Sequence, residues 1–120
     1  MKLSFSTRGW TELPWEQQIS DAEEYRFHGI EIYNLTRIPG LTDRSGPFHA
    51  YHLNETYRDI RQKKLSVSCL DTCIDLSAEP VDPREFQQLF HAADMLHCPY
   101  VAVIALEDHE DLVQKNLDCL

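Results

Sequence analysis

"RFHGIEIYNL", residues 26–35, sets one carboxylate, Glu31, between two isoleucines in an otherwise apolar run. Gly29 marks a boundary, and Ile30-Glu31-Ile32-Tyr33 predicts a strand. Side chains alternate across a strand, so Glu31 lies on the face opposite Ile30 and Ile32. The neighbouring predicted strands repeat this two-sidedness. Leu3 to Ser6 alternates apolar and polar, and Leu65 to Leu70 forms a third strand. Leu3 and Phe5, Ile30 and Ile32, and Val67 and Cys69 make one apolar set, whose alternates are Ser4, Ser6, Glu31, Ser66 and Ser68. Parallel strands covered on both faces read as continuous apolar runs. Only the fourth, Pro99 to Ala105 with Val101-Ala102-Val103-Ile104 at its centre, reads that way.

Helical patterns separate the strands. Pro14 opens a helix through about Phe27, with Trp15, Ile19, Ala22 and Tyr25 on one stripe. A second runs from about Ala50 to Lys64 over Leu53, Tyr57 and Ile60. Asp82-Pro83-Arg84-Glu85 reads as a helix start, with Asp82 as N-cap and Glu85 completing a capping box. Phe86, Leu89, Phe90, Ala93 and Leu96 follow on its face. Acids at Glu107 to Asp111 open a fourth helix over Leu112, Val113 and Leu117. Residues 34–47, with Pro39, Gly40, Gly46 and Pro47, form a loop. The order βαβαβαβα predicts an α/β fold, parallel pairing and right-handed crossovers in one domain spanning residues 1–120. In a barrel, Glu31 points to the axis near the rim where active sites assemble. In an open sheet it is simply wet. Periodicity leaves both readings open.

The chain has 120 residues and a net charge of −9. That field repels phosphate backbones and argues against a nucleic-acid partner. The densest basic cluster, Arg58, Arg61, Lys63 and Lys64, closes a predicted helix, where cations complement the dipole. No apolar stretch approaches the ~20 residues that span a bilayer, and Met1 to Phe5 reads as strand, not signal peptide. A cytoplasmic location without membrane partners is the expectation. Cys69, Cys73, Cys98 and Cys119 show no C-x-x-C or zinc-finger spacing and read as reduced thiols.

"LSFSTRGW" at 3–10, "YRFHGIEIYNL" at 25–35, "KLSVSCLDT" at 64–72 and "HCPYVAV" at 97–103 follow one another in order. This set resembles the N-terminal half of the xylose isomerase-like TIM barrels, in particular the sugar phosphate isomerase/epimerase group. The resemblance implies four βα units, half of a (βα)8 barrel. It implies metal-dependent aldose–ketose isomerisation or epimerisation of a sugar or sugar phosphate. It places substrate-binding residues just beyond the strand ends: Arg8 and Trp10 after the first strand, Glu31 in the second and Asp71 after the third. Arg8 would hold a phosphate or carboxylate, Trp10 would pack on a sugar's apolar face, and Glu31 and Asp71 would accept from hydroxyls. Trp10 as a core anchor, and Arg8 as a mere ion-pair partner of Glu31 or Asp71, stand as alternatives.

A TIM barrel typically takes about 250 residues. The divalent metal the resemblance implies, Mn, Mg, Co or Zn, is held in that group mainly by carboxylates and a histidine of the later four strands. No metal ligand therefore carries over to this chain. His49 and His52, three apart in "HAYH", precede the third strand and read as surface or capping residues. No catalytic residue is assigned. Four parallel strands leave two open edges, which a homodimer or a missing C-terminal half would close. The alternative function is a non-catalytic half-barrel that binds a small polyol or a partner chain.

Overall fold

The computed structural model describes residues 2–120. Its elements are β1 (Ser4–Ser6), a 3-10 turn (Thr7–Trp10), α1 (Trp15–Glu24), β2 (Gly29–Tyr33), α2 (Leu53–Gln62), β3 (Ser66–Asp75), α3 (Pro83–Met95), β4 (Val101–Ile104) and α4 (Glu110–Asp118). All three strand pairings are parallel, in the sheet order β1-β2-β3-β4. One apolar core joins Ile30, Ile32, Val67 and Leu70 of the sheet to Ile19 and Ala22 of α1, Leu53 and Ile60 of α2, and Phe86 and Leu89 of α3. The helices thus cover the isoleucine face of β2. Gly29 is buried where β1 and β3 flank it, and a Cβ there would come within 2.3 Å of Ser4 Oγ. No helix among the described residues is long and apolar enough to cross a membrane.

The three βα units that lead into another strand end their helices alike. Arg26, Lys64 and His97 adopt left-handed φ values of 62°, 59° and 52°. The next residue's N–H then reaches back, Phe27 to Ala22 O, Leu65 to Ile60 O and Cys98 to Ala93 O. These 6→1 bonds satisfy carbonyls that a helix end leaves orphaned. A structural repeat is therefore present without repeated sequence, because the joint depends on backbone shape and accepts three different polar side chains.

Several elements depart from the sequence expectation. In β3 the register slips: Ile30 pairs with Val67, but Glu31 pairs with Cys69. This bulge reverses the alternation. Cys69 therefore joins the Glu31 face, not the Val67 face, and Leu70, Thr72 and Ile74 take over the buried positions. The strand also continues past Leu70 to Asp75. In α3, Asp82 accepts from the Arg84 N–H as an N-cap should. Glu85 does not complete the box: it accepts from Thr36 and Arg37. Tyr25 sits past the end of α1 and is 67% exposed, and Phe90 and Leu117 are also exposed. Conversely, Asn116 of α4 is 2% exposed. Its amide donates to Leu76 O and Glu79 O and accepts from the Val81 N–H, tying α4 to the segment after β3.

Candidate functional site

The sheet face away from α1–α3 is polar and uncovered. Pairing lines up Ser6, Glu31 and Cys69 in one row and Tyr33, Asp71 and Ala102 in the next. Glu31, Cys69, Tyr33 and Asp71 are half-buried, and Cys73 beyond them is exposed. Asp71 lies inside β3 rather than after it, a correction that follows from the longer strand. The alternation still turns it to the same face as Glu31, between buried Leu70 and Thr72.

Arg8 and Trp10 sit on the 3-10 turn that leaves β1, held in part by the Ser6 hydroxyl accepting from the Arg8 N–H. The Arg8 guanidinium carbon is 5.4 Å from the centroid of the Tyr33 ring. That is a cation–π contact. It carries Arg8 over the edge of the polar face, and no ion pair ties it to Glu31 or Asp71 among the described residues. Trp10 is half-buried against Phe5, ring centroids 4.7 Å apart. Thr7, buried in the same turn, accepts from the Tyr33 N–H at 2.9 Å and locks the turn to the end of β2. The structure thus gathers Arg8, Glu31 and Asp71 toward one surface, while Trp10 engages the apolar edge of β1.

Sequence reading missed Tyr33, Cys69 and Cys73. Tyr33 is two residues from Glu31, so alternation alone contained it. Cys69 was hidden by the bulge, and Cys73 by the underestimated length of β3. The Cys73 thiol donates to the Tyr33 hydroxyl at 3.0 Å. That contact, with partial burial, raises the Tyr33 phenol above its ordinary value. Burial first, and then the negative charge of Glu31 beside it, push the Cys69 thiol up to about 11. It is therefore protonated at neutral pH and is a neutral wall of the site, not a nucleophile.

The donor set does not fit a resident divalent ion. Among the described residues no three His, Cys, Asp or Glu side chains cluster as a metal centre. His49 and His52 are spent locally: His49 Nδ1 accepts from the Tyr51 N–H, and His52 Nε2 lies 3.1 Å from Arg44 O. What the face offers is two carboxylate acceptors, a guanidinium and a phenol on an uncovered sheet surface. That set suits a small polyhydroxylated or anionic molecule.

No protein-family model and no curated protein matches the sequence. Solved structures do. The probable 3-DHS dehydratase AsbF, involved in petrobactin synthesis in Bacillus anthracis, superposes with a TM-score of 0.74 at 16% identity, over 98% of this chain and 46% of that one. The IolI protein, crystallised with a bound zinc atom, gives 0.67 at 15% identity, over 97% of this chain and 43% of that one. The chain spans less than half the length of either structure. At such identities the likeness establishes the fold alone: four βα units matching half of a TIM barrel.

Proposed function

We propose that this chain supplies the substrate-mouth half of a barrel acting on a small sugar or sugar phosphate, as in the isomerase/epimerase group. A second set of four βα units, here a second copy of the chain, closes the barrel. The observation that carries this reading is the uncovered Glu31/Asp71 face on a chain less than half as long as proteins of the same fold. Two copies supply about the residue count a TIM barrel needs. In this reading Glu31 and Asp71 accept from sugar hydroxyls, and Arg8 swings from Tyr33 to a phosphate. The indole surface that Trp10 leaves free of Phe5 packs on the sugar ring. Isomerisation or epimerisation needs a proton moved at the carbon beside a carbonyl, and in the related enzymes a divalent metal polarises the oxygens. Among the described residues no three candidate ligands assemble such a centre, and no chemical step is assigned to them. A second reading takes the same face as a half-barrel that binds a polyol without turning it over. A cytoplasmic setting with reduced thiols accords with either.

Calorimetric titration with a panel of pentose and hexose phosphates, paired with proton exchange in heavy water with and without Mn2+, separates the two readings. Saturable binding that drops at least about tenfold in Glu31→Gln or Asp71→Asn supports the site, since hydrogen bonds to a charged acceptor carry about 1.5–3 kcal/mol. Exchange at C2 supports catalysis, and binding without exchange supports the binding module. A panel that does not bind, or binds both variants as it does the parent, rejects the inner face as the site.

A further inference from the structure

A recess opens at the end of the sheet opposite Arg8. The strands are parallel, so their first residues share one end. Ser4, Gly29 and Ser66 start β1, β2 and β3 and stand side by side in the register. The recess over this row has a volume of about 510 Å3, within the range of ligand sites. Lys2, Arg61 and Lys64 line it together with His28, and among the described residues no acid does. In a chain of net charge −9 this is a local reversal of sign.

The basic cluster that closes α2 is divided by this arrangement. Lys63 reaches Glu23 at 4.0 Å and, like Arg58, stays off the recess. Arg61 and Lys64 line it, and no ion pair among the described residues includes either of them or Lys2. The backbone fixes where Lys64 stands. It takes its left-handed φ of 59° in the joint after α2, two residues before β3 begins. Neutral donors accompany the cations. His28 Nδ1 accepts from the Leu3 N–H at 3.2 Å, which leaves Nε2–H as the donor of that ring. Ser4 Oγ lies in the space that a Cβ on Gly29 would fill, so a hydroxyl stands on the floor of the recess. The Ser66 and Ser68 hydroxyls turn instead to His28 O and Ile30 O. Glu31 stands two residues farther along β2 on the same face, which confines an anion to the strand-start end.

We infer that this recess holds the phosphate group of a small molecule, with Arg61, Lys64 and Lys2 supplying the charge and Ser4 and His28 the neutral donors. A phosphate monoester carries close to two negative charges and three acceptor oxygens, which answers several cations better than one carboxylate does. The field of the whole chain disfavours a long polyanion such as a nucleic acid. The site lies at the opposite end of the sheet from Arg8 and does not depend on any activity there.

The test titrates inorganic phosphate and methyl phosphate into the 15N-labelled full chain at constant ionic strength. The expected result is saturable shifts centred on the amides of Ser4, Gly29, Lys64 and Ser66. Arg61→Gln combined with Lys64→Asn should weaken binding about tenfold, about threefold for each charge, the scale of an exposed charge pair. Asparagine is chosen because it tolerates the left-handed turn at position 64. Arg58→Gln combined with Lys63→Gln removes the same charge from the same helix end but off the recess, and should leave the affinity unchanged. Should Lys64→Asn disturb the joint, Arg61→Gln alone decides, with the threefold loss expected. Methyl phosphate binding at least as tightly as phosphate assigns the site to phosphate esters, and tighter binding of phosphate assigns it to the free ion. Equal weakening by the two pairs of substitutions, shifts centred on Arg8 and Tyr33, or shifts that do not saturate would each overturn the assignment.

Discussion

Glu31 shows how far one residue's surroundings carry. Flanked by Ile30 at 0% and Ile32 at 1% exposure, it has only one face to occupy, and alternation makes that legible without coordinates. Directly across from it in the register, Cys69 was not legible. A bulge leaves no mark in hydrophobic periodicity when the residues at the slip are serine and cysteine, small enough for either face. The same insensitivity hid Asn116: an asparagine on a helix reads as solvent-facing unless its three backbone partners are known. The chemistry of the cysteines gives a direct check. With iodoacetamide at about pH 8, exposed Cys73 and Cys119 should be alkylated before Cys69, whose thiol is pushed up to about 11 by burial and by Glu31. Peptide mass spectrometry resolves the order, and early modification of Cys69 would mean that the inner face is not arranged as described.

At the scale of elements, the helix and strand order follows from the apolar spacing, because each stripe pays off only against the next sheet strand. Boundaries follow less well. The end of α1 depends on Arg26 adopting a left-handed turn, which arginine has no special tendency to do, so the spacing carried the helix on to Phe27. Phe90 was placed in the core because it follows Phe86 by four. The buried face instead runs through Phe86, Leu89 and Ala93, and the Phe90 ring rests on Phe86 with centroids 5.8 Å apart. The start of α3 supports two predictions. Asp82→Ala should cost about 1 kcal/mol in chemical denaturation, the usual worth of an N-cap. Glu85, diverted to Thr36 and Arg37, has its carboxyl lowered below its ordinary value of 4.5, chiefly by the Arg37 hydrogen bonds. A lowered folded-state value means the pair's contribution is complete above about pH 4.5 and is lost as pH falls through the depressed value. Glu85→Gln should therefore lose about 1 kcal/mol at neutral pH and less on acidification, a small figure because Arg37 is 43% exposed. An equal loss at pH 7 and pH 3 would show that the charge does not matter.

For the whole molecule, the sheet ends in two unpaired edges. Ile104 on β4 and Leu3 beside β1 are exposed, and Leu106 and Leu117 add apolar surface near β4 and on α4. Such edges invite another strand. The alternation in the sequence carried two-faced strands but fitted a barrel and an open sheet alike; the half-barrel came from the resemblance, and local periodicity does not encode which chain supplies the other half. If a second copy does so, two bodies of charge −9 must approach each other. Their long-range repulsion is screened as the Debye length falls from about 30 Å at 0.01 M salt to about 3 Å at 1 M. Association should therefore tighten with added salt, readable by sedimentation velocity, and weakening with salt would point to a partner of opposite charge.

The measurement that bears most directly on the central claim is the mass of the folded chain in solution by light scattering. Closure of the Glu31/Asp71 face by a second copy predicts twice the chain mass, held across dilution while the chain stays folded. A folded, non-associating species of single chain mass, with that face open to water, would contradict it.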